Sequence, residues 1–261
     1  MSDDRPAFQR GVVRPIQCFK DGWELIKNDY WLFLGITVVG VLIASVVPLG
    51  ILMGPMFCGI FYCLFRRARG KGLRFEMLFR GFDYFVQSLI AALLMFVPFF
   101  IVFLIGYSAF LAALFSSLPT QPGAQPDARA TGTIVGAYAV FLLLIIVTQI
   151  VLQVLFFFVF PLIVDRRLTA IEAIKTSIRA SGANFTGVLG IVLLNVLLSF
   201  LGELACCIGW FFVLPLHFGA IFRAYQAVFP EGELPPPPPP EGVEADYDDA
   251  RLDGGPTAGG A

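Results

Sequence analysis

Charged residues are scarce in this chain of 261 residues. Lysine, arginine, aspartate and glutamate together make up 14% of it, whereas a soluble domain carries about 25%. Hydrophobic residues make up 57%. Such a composition excludes a water-soluble enzyme and a nucleic-acid-binding protein, and it indicates a membrane protein.

Residues suited to catalysis or metal binding are also few. The chain has a single histidine, His217, and five cysteines without CxxC spacing. It contains no GxSxG, HExxH, Walker A or GxGxxG motif, which are patterns that place a nucleophile, a catalytic metal or a bound phosphate. We therefore expect no enzyme activity, cofactor or metal, with an interfacial lipid enzyme as a remaining alternative.

Long apolar runs occupy most of the chain. A helix needs about 20 apolar residues to cross about 30 Å of hydrocarbon. The sequence predicts six spans, at 30–47, 49–65, 86–115, 134–164, 185–205 and 208–228. The second is the shortest, so a re-entrant hairpin with the first span is the alternative there. The third and fourth are longer than the bilayer requires and are expected to tilt or to project beyond it.

The basic residues fall on one side of these spans. Seventeen of the eighteen lysines and arginines lie before the first span, after the second, after the fourth, or at the end of the sixth span and beyond it, and only Arg129 lies on the other side. Cytoplasmic segments of membrane proteins carry such an excess. We therefore expect a multi-pass protein of the bacterial inner membrane with both termini in the cytoplasm.

An amphipathic segment precedes each odd-numbered span. Large apolar residues recur there at three- and four-residue spacing, which places them on one face of a helix. These stripes consist of Ile16, Phe19, Trp23, Ile26 and Tyr30, then Phe75, Leu78, Phe82, Phe85 and Leu89, then Ile171, Ile174, Ile178 and Phe185. Charged residues occupy the other faces, which favours helices lying in the cytoplasmic interface; the alternative is that they extend the spans. Thr169 and Glu172 form a capping-box pattern that would start the third helix.

These elements predict an all-α polytopic membrane protein of three hairpins, each preceded by an interfacial amphipathic helix. The predicted divisions are an interfacial segment 1–29, hairpin one 30–66, an interfacial helix 74–85, hairpin two 86–164, an interfacial helix 168–181, hairpin three 184–229 and a tail 230–261. Because all three units enter from the same side, they would form a parallel internal repeat.

Three short motifs carry a resemblance to a known group. They are FPLIVD at 160–165 with EAIKTS at 172–177, Asn184 before a hydrophobic hairpin, and FRGFDYF at 79–85. With them, residues 12–229 resemble uncharacterised bacterial six-span membrane proteins, which are similar to the membrane domain fused to some glycerophosphoryl diester phosphodiesterases. The resemblance implies a fold and an inner-membrane location. It implies no activity, because the phosphodiesterase's catalytic domain has no counterpart here.

Ionisable groups at membrane depth are candidates for function because burying them is costly. His217 lies in the sixth predicted span, two residues after Pro215, and Glu203 lies near the outer end of the fifth. A pair of these side chains would bind a proton or a metal. Their different depths favour the alternative, in which Glu203 reaches the interface and His217 packs as a neutral, hydrogen-bonded residue.

Neutral polar residues also occur within the spans. Gln149 and Gln153 share one face of the fourth span, Asn195 lies in the fifth, and Pro55 interrupts the second. Such amides most often join neighbouring helices by hydrogen bonds, and the alternative is a polar pathway. We treat these residues, with His217, Glu203 and Pro215, as one candidate intramembrane site.

Basic residues next to the spans are candidates for lipid contact. They are Arg66, Arg67, Arg69, Lys71, Arg74, Arg166 and Arg167. Each cation near an anionic leaflet contributes about 1 kcal/mol of attraction. Anionic lipids of the inner leaflet are therefore the expected partners.

The tail 230–261 differs from the rest of the chain. Six consecutive prolines precede a segment in which acidic residues dominate, a composition that builds no core and extends as a polyproline II rod. It is either a solvated spacer or a docking peptide for a cytoplasmic protein.

The sequence thus favours a membrane-organising or accessory protein that engages inner-leaflet lipids. The alternative is a small solute or ion transporter or channel that uses the proline-interrupted second and sixth spans. The sequence leaves the oligomeric state and any substrate open.

Overall fold

A computed structural model describes residues 8–46, 50–117, 128–204 and 209–230. The predicted tail, apart from Pro230, lies outside the described residues. Within the described ranges all regular secondary structure is helical and there is no strand, as predicted. The α-helices are α1 (Pro15–Ile26), α2 (Tyr30–Val46), α3 (Met53–Ala68), α4 (Phe85–Ser116), α5 (Ala128–Leu155), α6 (Val159–Arg166), α7 (Ala170–Ala183), α8 (Phe185–Leu204) and α9 (Gly209–Val228).

Five stretches of the described chain are long and apolar enough to cross a membrane. They are Pro15–Val46, Phe75–Ser116, Ala128–Arg166, Phe185–Leu204 and Gly209–Val228. These stretches make the chain a helical, multi-pass membrane protein. The short second span corresponds to α3, whose 16 residues reach roughly 24 Å, and it is not one of the five.

Helix α3 lies at the centre of the bundle, which explains how so short a helix is accommodated. It contacts α2, α4, α6 and α9, and nearly every residue from Gly54 to Phe65 is buried. The ring of Phe57 packs edge-on against Phe160 and Phe218. Because α3 is surrounded by protein, its length is not set by the bilayer.

Neighbouring helices in the chain pack in pairs, α2 with α3, α4 with α5 and α8 with α9. In addition, α1 packs along α9, where Gly22 lies against the backbone of Gly219. The backbone N–H of Gln9 donates to the carbonyl of Val228 at 2.8 Å. The N-terminal segment is therefore part of the folded bundle and not a detached surface helix.

The predicted fourth span is divided into α5 and α6 by a break at residues 156–158. The hydroxyl of Ser177 in α7 repairs the break: it donates to the carbonyl of Leu155 at 2.8 Å and accepts from the N–H of Phe158 at 3.1 Å. Backbone groups released at a helix break must find such partners when buried. Pro161 is the local signal for this break, since it lies in the first turn of α6 and cannot donate a hydrogen bond to the carbonyl of Phe157. The partner that satisfies the freed backbone groups comes from another helix.

The three predicted interfacial segments are helical but differ in type. The capping box of α7 is confirmed, since the N–H of Glu172 donates to Thr169 Oγ1 and Glu172 accepts from the Thr169 backbone. Residues Phe75–Tyr84 instead form a 3-10 helix, although runs beyond three to four residues are uncommon. This 3-10 segment lies against α3, where Leu78 and Gly81 are buried.

Candidate intramembrane cavity

Two pairs of neutral polar side chains converge on a cavity of about 390 Å³. Gln149 and Gln153 are four residues apart on α5, and Asn195 and Ser199 are four residues apart on α8, so each pair occupies one helix face. His217 reaches the same cavity from α9. The structure therefore brings together four of the seven residues of the predicted intramembrane site, and it adds Ser199.

The remaining walls are apolar, and aromatic rings make up much of them. They comprise Val41, Met53, Phe57, Phe61, Met95, Phe156, Phe157, Phe160, Val192, Trp210, Leu214, Phe218 and Ile221. These side chains come from helices distant in sequence and from the break between α5 and α6. Sequence patterns did not single them out as site residues, because an aromatic residue in a span reads equally well as lipid-facing or as core.

Asn195 is the most deeply buried polar residue of the cavity. Its exposed fraction is 2%, and its Oδ1 atom has no hydrogen-bond partner among the described residues. An unpaired amide oxygen in an apolar environment costs about 1–3 kcal/mol. Asn184, also buried, shows the usual solution: its Oδ1 accepts from Val12 N–H, and its Nδ2 donates to the carbonyls of Gln9 and Ala180.

The cavity lining contains no aspartate, glutamate, lysine or arginine. No group of three or more metal-ligating side chains occurs in the part of the chain that the structure describes. Glu203, the expected partner of His217, is exposed at the end of α8 and does not line the cavity. This arrangement provides neutral hydrogen-bonding groups and no counter-charge for an ion.

The two prolines of the predicted site are structural neighbours of the cavity. Pro215 is buried within α9, two residues before His217. Pro55 is buried in the first turn of α3, where its carbonyl lies against Gly81 of the 3-10 segment. Neither lines the cavity.

Most of the predicted lipid-contact cations have protein partners. Arg66 Nε donates to the carbonyl of Gly72, Arg67 pairs with Asp29 at 2.9 Å, and Arg69 pairs with Asp165 at 3.3 Å. Arg74 pairs with Glu76, and the Arg166 guanidinium lies 5.4 Å from the ring centroid of Phe229. Lys71 and Arg167 are exposed.

Asp165 is an interaction centre whose contact with Tyr225 the sequence did not predict. It accepts a 2.7 Å hydrogen bond from the hydroxyl of buried Tyr225. Its carboxylate also lies near Arg69 and Arg166. Tyr225 is sixty residues away in the sequence, and no local pattern links the two.

Comparisons with protein-family models, with curated proteins and with solved structures found no match for this chain. The resemblance to the phosphodiesterase-associated membrane domain therefore stays a prediction. Fold and cavity define a multi-pass helical membrane protein with a largely apolar cavity that a few neutral polar side chains line.

Proposed function

We propose that this chain is a non-enzymatic membrane-organising or accessory protein of the bacterial inner membrane. Its termini lie in the cytoplasm, its six spans form three hairpins, and its α1, 3-10 segment and α7 engage lipids of the inner leaflet. The uneven distribution of lysine and arginine supports this orientation.

One observation carries the proposal: these three segments bury small residues against the bundle and keep several bulky apolar residues on their outer surface. Gly22, Gly81 and Ala173 are buried. Exposed apolar side chains on the same segments are Ile16, Trp23, Phe75, Phe79, Phe82, Ile171 and Ile178. An exposed apolar face on a helix that also carries charges suits the boundary between headgroups and acyl chains.

The predicted stripes are only partly outward-facing. Trp23 is 45% exposed, but Ile26 and Leu78 are fully buried in the core. Each segment thus has buried apolar residues that pack against the bundle and exposed apolar residues on its outer surface. Because the same segments pack against the spans, a change in their contact with leaflet lipids would alter the packing of the spans.

Depth measurements with spin labels test this arrangement. We expect labels replacing Trp23, Phe79 or Ile178 to be more accessible to oxygen than to a water-soluble nickel reagent, because oxygen concentrates in the acyl region. Matched charged positions, each one residue further along and therefore about 100–120° around the same segment, should show the reverse; they are Glu24, Arg80 and Arg179. Each variant carries one introduced cysteine, with the five native cysteines replaced.

A lipid-order measurement tests the function itself. We expect the wild-type protein to change the Laurdan spectrum of vesicles containing phosphatidylglycerol, and the combined change of Trp23, Phe79 and Ile178 to serine to remove most of that effect. Equal water accessibility of all six labelled positions, or an unchanged effect of the triple variant, would contradict the proposal.

The cavity favours transport of a small solute as the second candidate function. If the chain transports, liposomes containing it should show flux of some member of a solute and ion panel. His217→Ala should abolish that flux, whereas Glu203→Gln, outside the cavity, should preserve it. Absence of flux across the panel in liposomes whose lipid order the protein changes would leave the first proposal standing alone.

A further inference from the structure

We propose that the cavity between α5, α8 and α9 binds a neutral amphipathic lipid that carries a hydroxyl group, such as a monoacylglycerol or a long-chain alcohol. This inference goes beyond the proposed function and does not depend on it. It rests on three properties of the cavity: an unpaired acceptor, the lack of charge and the apolar walls.

The hydrogen-bonding groups of the cavity favour a ligand with a donor. The Oδ1 atom of Asn195 has no partner among the described residues and less than 1 Å² of accessible surface. Rotation about the terminal side-chain bond, which has a broad energy profile, would turn this oxygen toward the cavity, where it accepts only. A ligand must therefore offer a donor. A hydroxyl group donates one hydrogen bond to Asn195 and accepts another from an amide N–H, such as that of Gln153, which lines the same cavity.

The uncharged lining of the cavity disfavours a charged ligand. A carboxylate, phosphate or ammonium group entering this lining would lose its hydration and find no opposite charge, since the lining has no ionised aspartate, glutamate, lysine or arginine. Burial of an unpaired charge is far more costly than burial of a neutral hydroxyl. Phospholipids and free fatty acids are disfavoured for this reason.

The size and walls of the cavity, and its extension to the protein surface, suit the alkyl chain of a lipid. The volume of about 390 Å³ lies within the range of roughly 300–1,000 Å³ for small-molecule sites, and aromatic and aliphatic walls suit an alkyl chain. Gln149 is exposed whereas Asn195 is buried. The polar groups therefore extend from the outer surface of α5 to the interior, which provides an entry path from the bilayer.

Photolabelling of the purified full-length protein in nanodiscs tests this site. The probe is a monoacylglycerol with a diazirine in its acyl chain, and the competitor is unlabelled monoacylglycerol. We expect saturable labelling that mass spectrometry places on peptides of α5, α8 or α9 that line the cavity. The matching fatty acid should not compete at the same concentration.

Three variants connect the labelling to the cavity. Asn195→Leu removes the acceptor at similar side-chain volume. It should raise the concentration of unlabelled monoacylglycerol that halves the labelling by up to about tenfold. Ser199→Phe fills the cavity and should abolish competable labelling. Val196→Phe adds the same ring to an exposed position of α8 and should leave labelling unchanged.

Several outcomes would overturn the proposal. They are labelling that does not saturate, labelling spread over the lipid-facing surface of α4, equal competition by the fatty acid, and equal effects of Ser199→Phe and Val196→Phe. Absence of labelling would show a cavity filled by water only. Because the labelled peptides of the wild-type protein are informative alone, misfolding of a variant would not remove the test.

Discussion

Gly81→Ala is expected to destabilise the folded protein strongly, because the added methyl group would meet backbone atoms. A Cβ atom at Gly81 would lie 1.9 Å from the carbonyl oxygen of Pro55 and 2.6 Å from the backbone nitrogen of Gly59. Both neighbours are backbone atoms of the central helix α3, so no side chain can rotate away. The 3-10 segment and α3 would have to separate, at a cost of about 3 kcal/mol or more.

The unfolding temperature in detergent measures this effect. It is obtained by heating samples and using size-exclusion chromatography to determine how much folded protein remains. Gly182→Ala in α7 is the matched control, since a Cβ there meets nothing within 4 Å. It should raise stability by about 0.5–1 kcal/mol, because alanine favours a helix over glycine. Equal unfolding temperatures for the two variants would show that the contact between α3 and the 3-10 segment is absent in the protein.

Asp165→Ala is expected to destabilise the fold by roughly 3 kcal/mol, the range for removing one partner of a buried charge pair. The substitution would leave the hydroxyl of Tyr225 without its acceptor and Arg166 without its nearby carboxylate. Both lie in protected surroundings, since Tyr225 is 1% exposed and the Arg166 side chain is 8% exposed. Neither group can recover its hydration by a small movement.

The same unfolding measurement checks this expectation against two further variants. Asp83→Ala breaks an exposed pair with Arg80 and should cost less than about 1 kcal/mol. Asp165→Asn keeps an acceptor for Tyr225 and should recover part of the loss. A loss for Asp165→Ala no larger than that for Asp83→Ala would mean that Asp165 is solvated and does not join α6 to α9.

Some of the site could be predicted because burial of polar groups in a membrane is visible in the sequence. Gln149, Gln153, Asn195 and His217 stand out in apolar spans, and the structure places all four around one cavity. Their spacing predicts which helix face they share but not which helices face each other. Glu203 stood out for the same reason, yet its place at the end of α8 keeps it outside the cavity.

Other features depended on contacts between distant residues. The break between α5 and α6 needs the hydroxyl of Ser177, and the 3-10 form of Phe75–Tyr84 accompanies close backbone contact between Gly81 and Pro55. Apart from Pro161, the apolar run at 134–164 shows the same local pattern as a continuous helix. The three- and four-residue spacing of the apolar residues at 75–89 predicts an α-helix and does not indicate a 3-10 segment.

By itself, the sequence determined that the chain is helical and membrane-spanning, and where α7 begins. Those properties follow from the length of apolar runs and from side chains within one turn of each other, such as Thr169 and Glu172. Only the tertiary structure decided that α3 is central, that Asp165 meets Tyr225, and that Asn195 lines a cavity with its Oδ1 atom unpaired among the described residues. Those features arise from packing between segments far apart in the chain, which no local pattern of residues encodes.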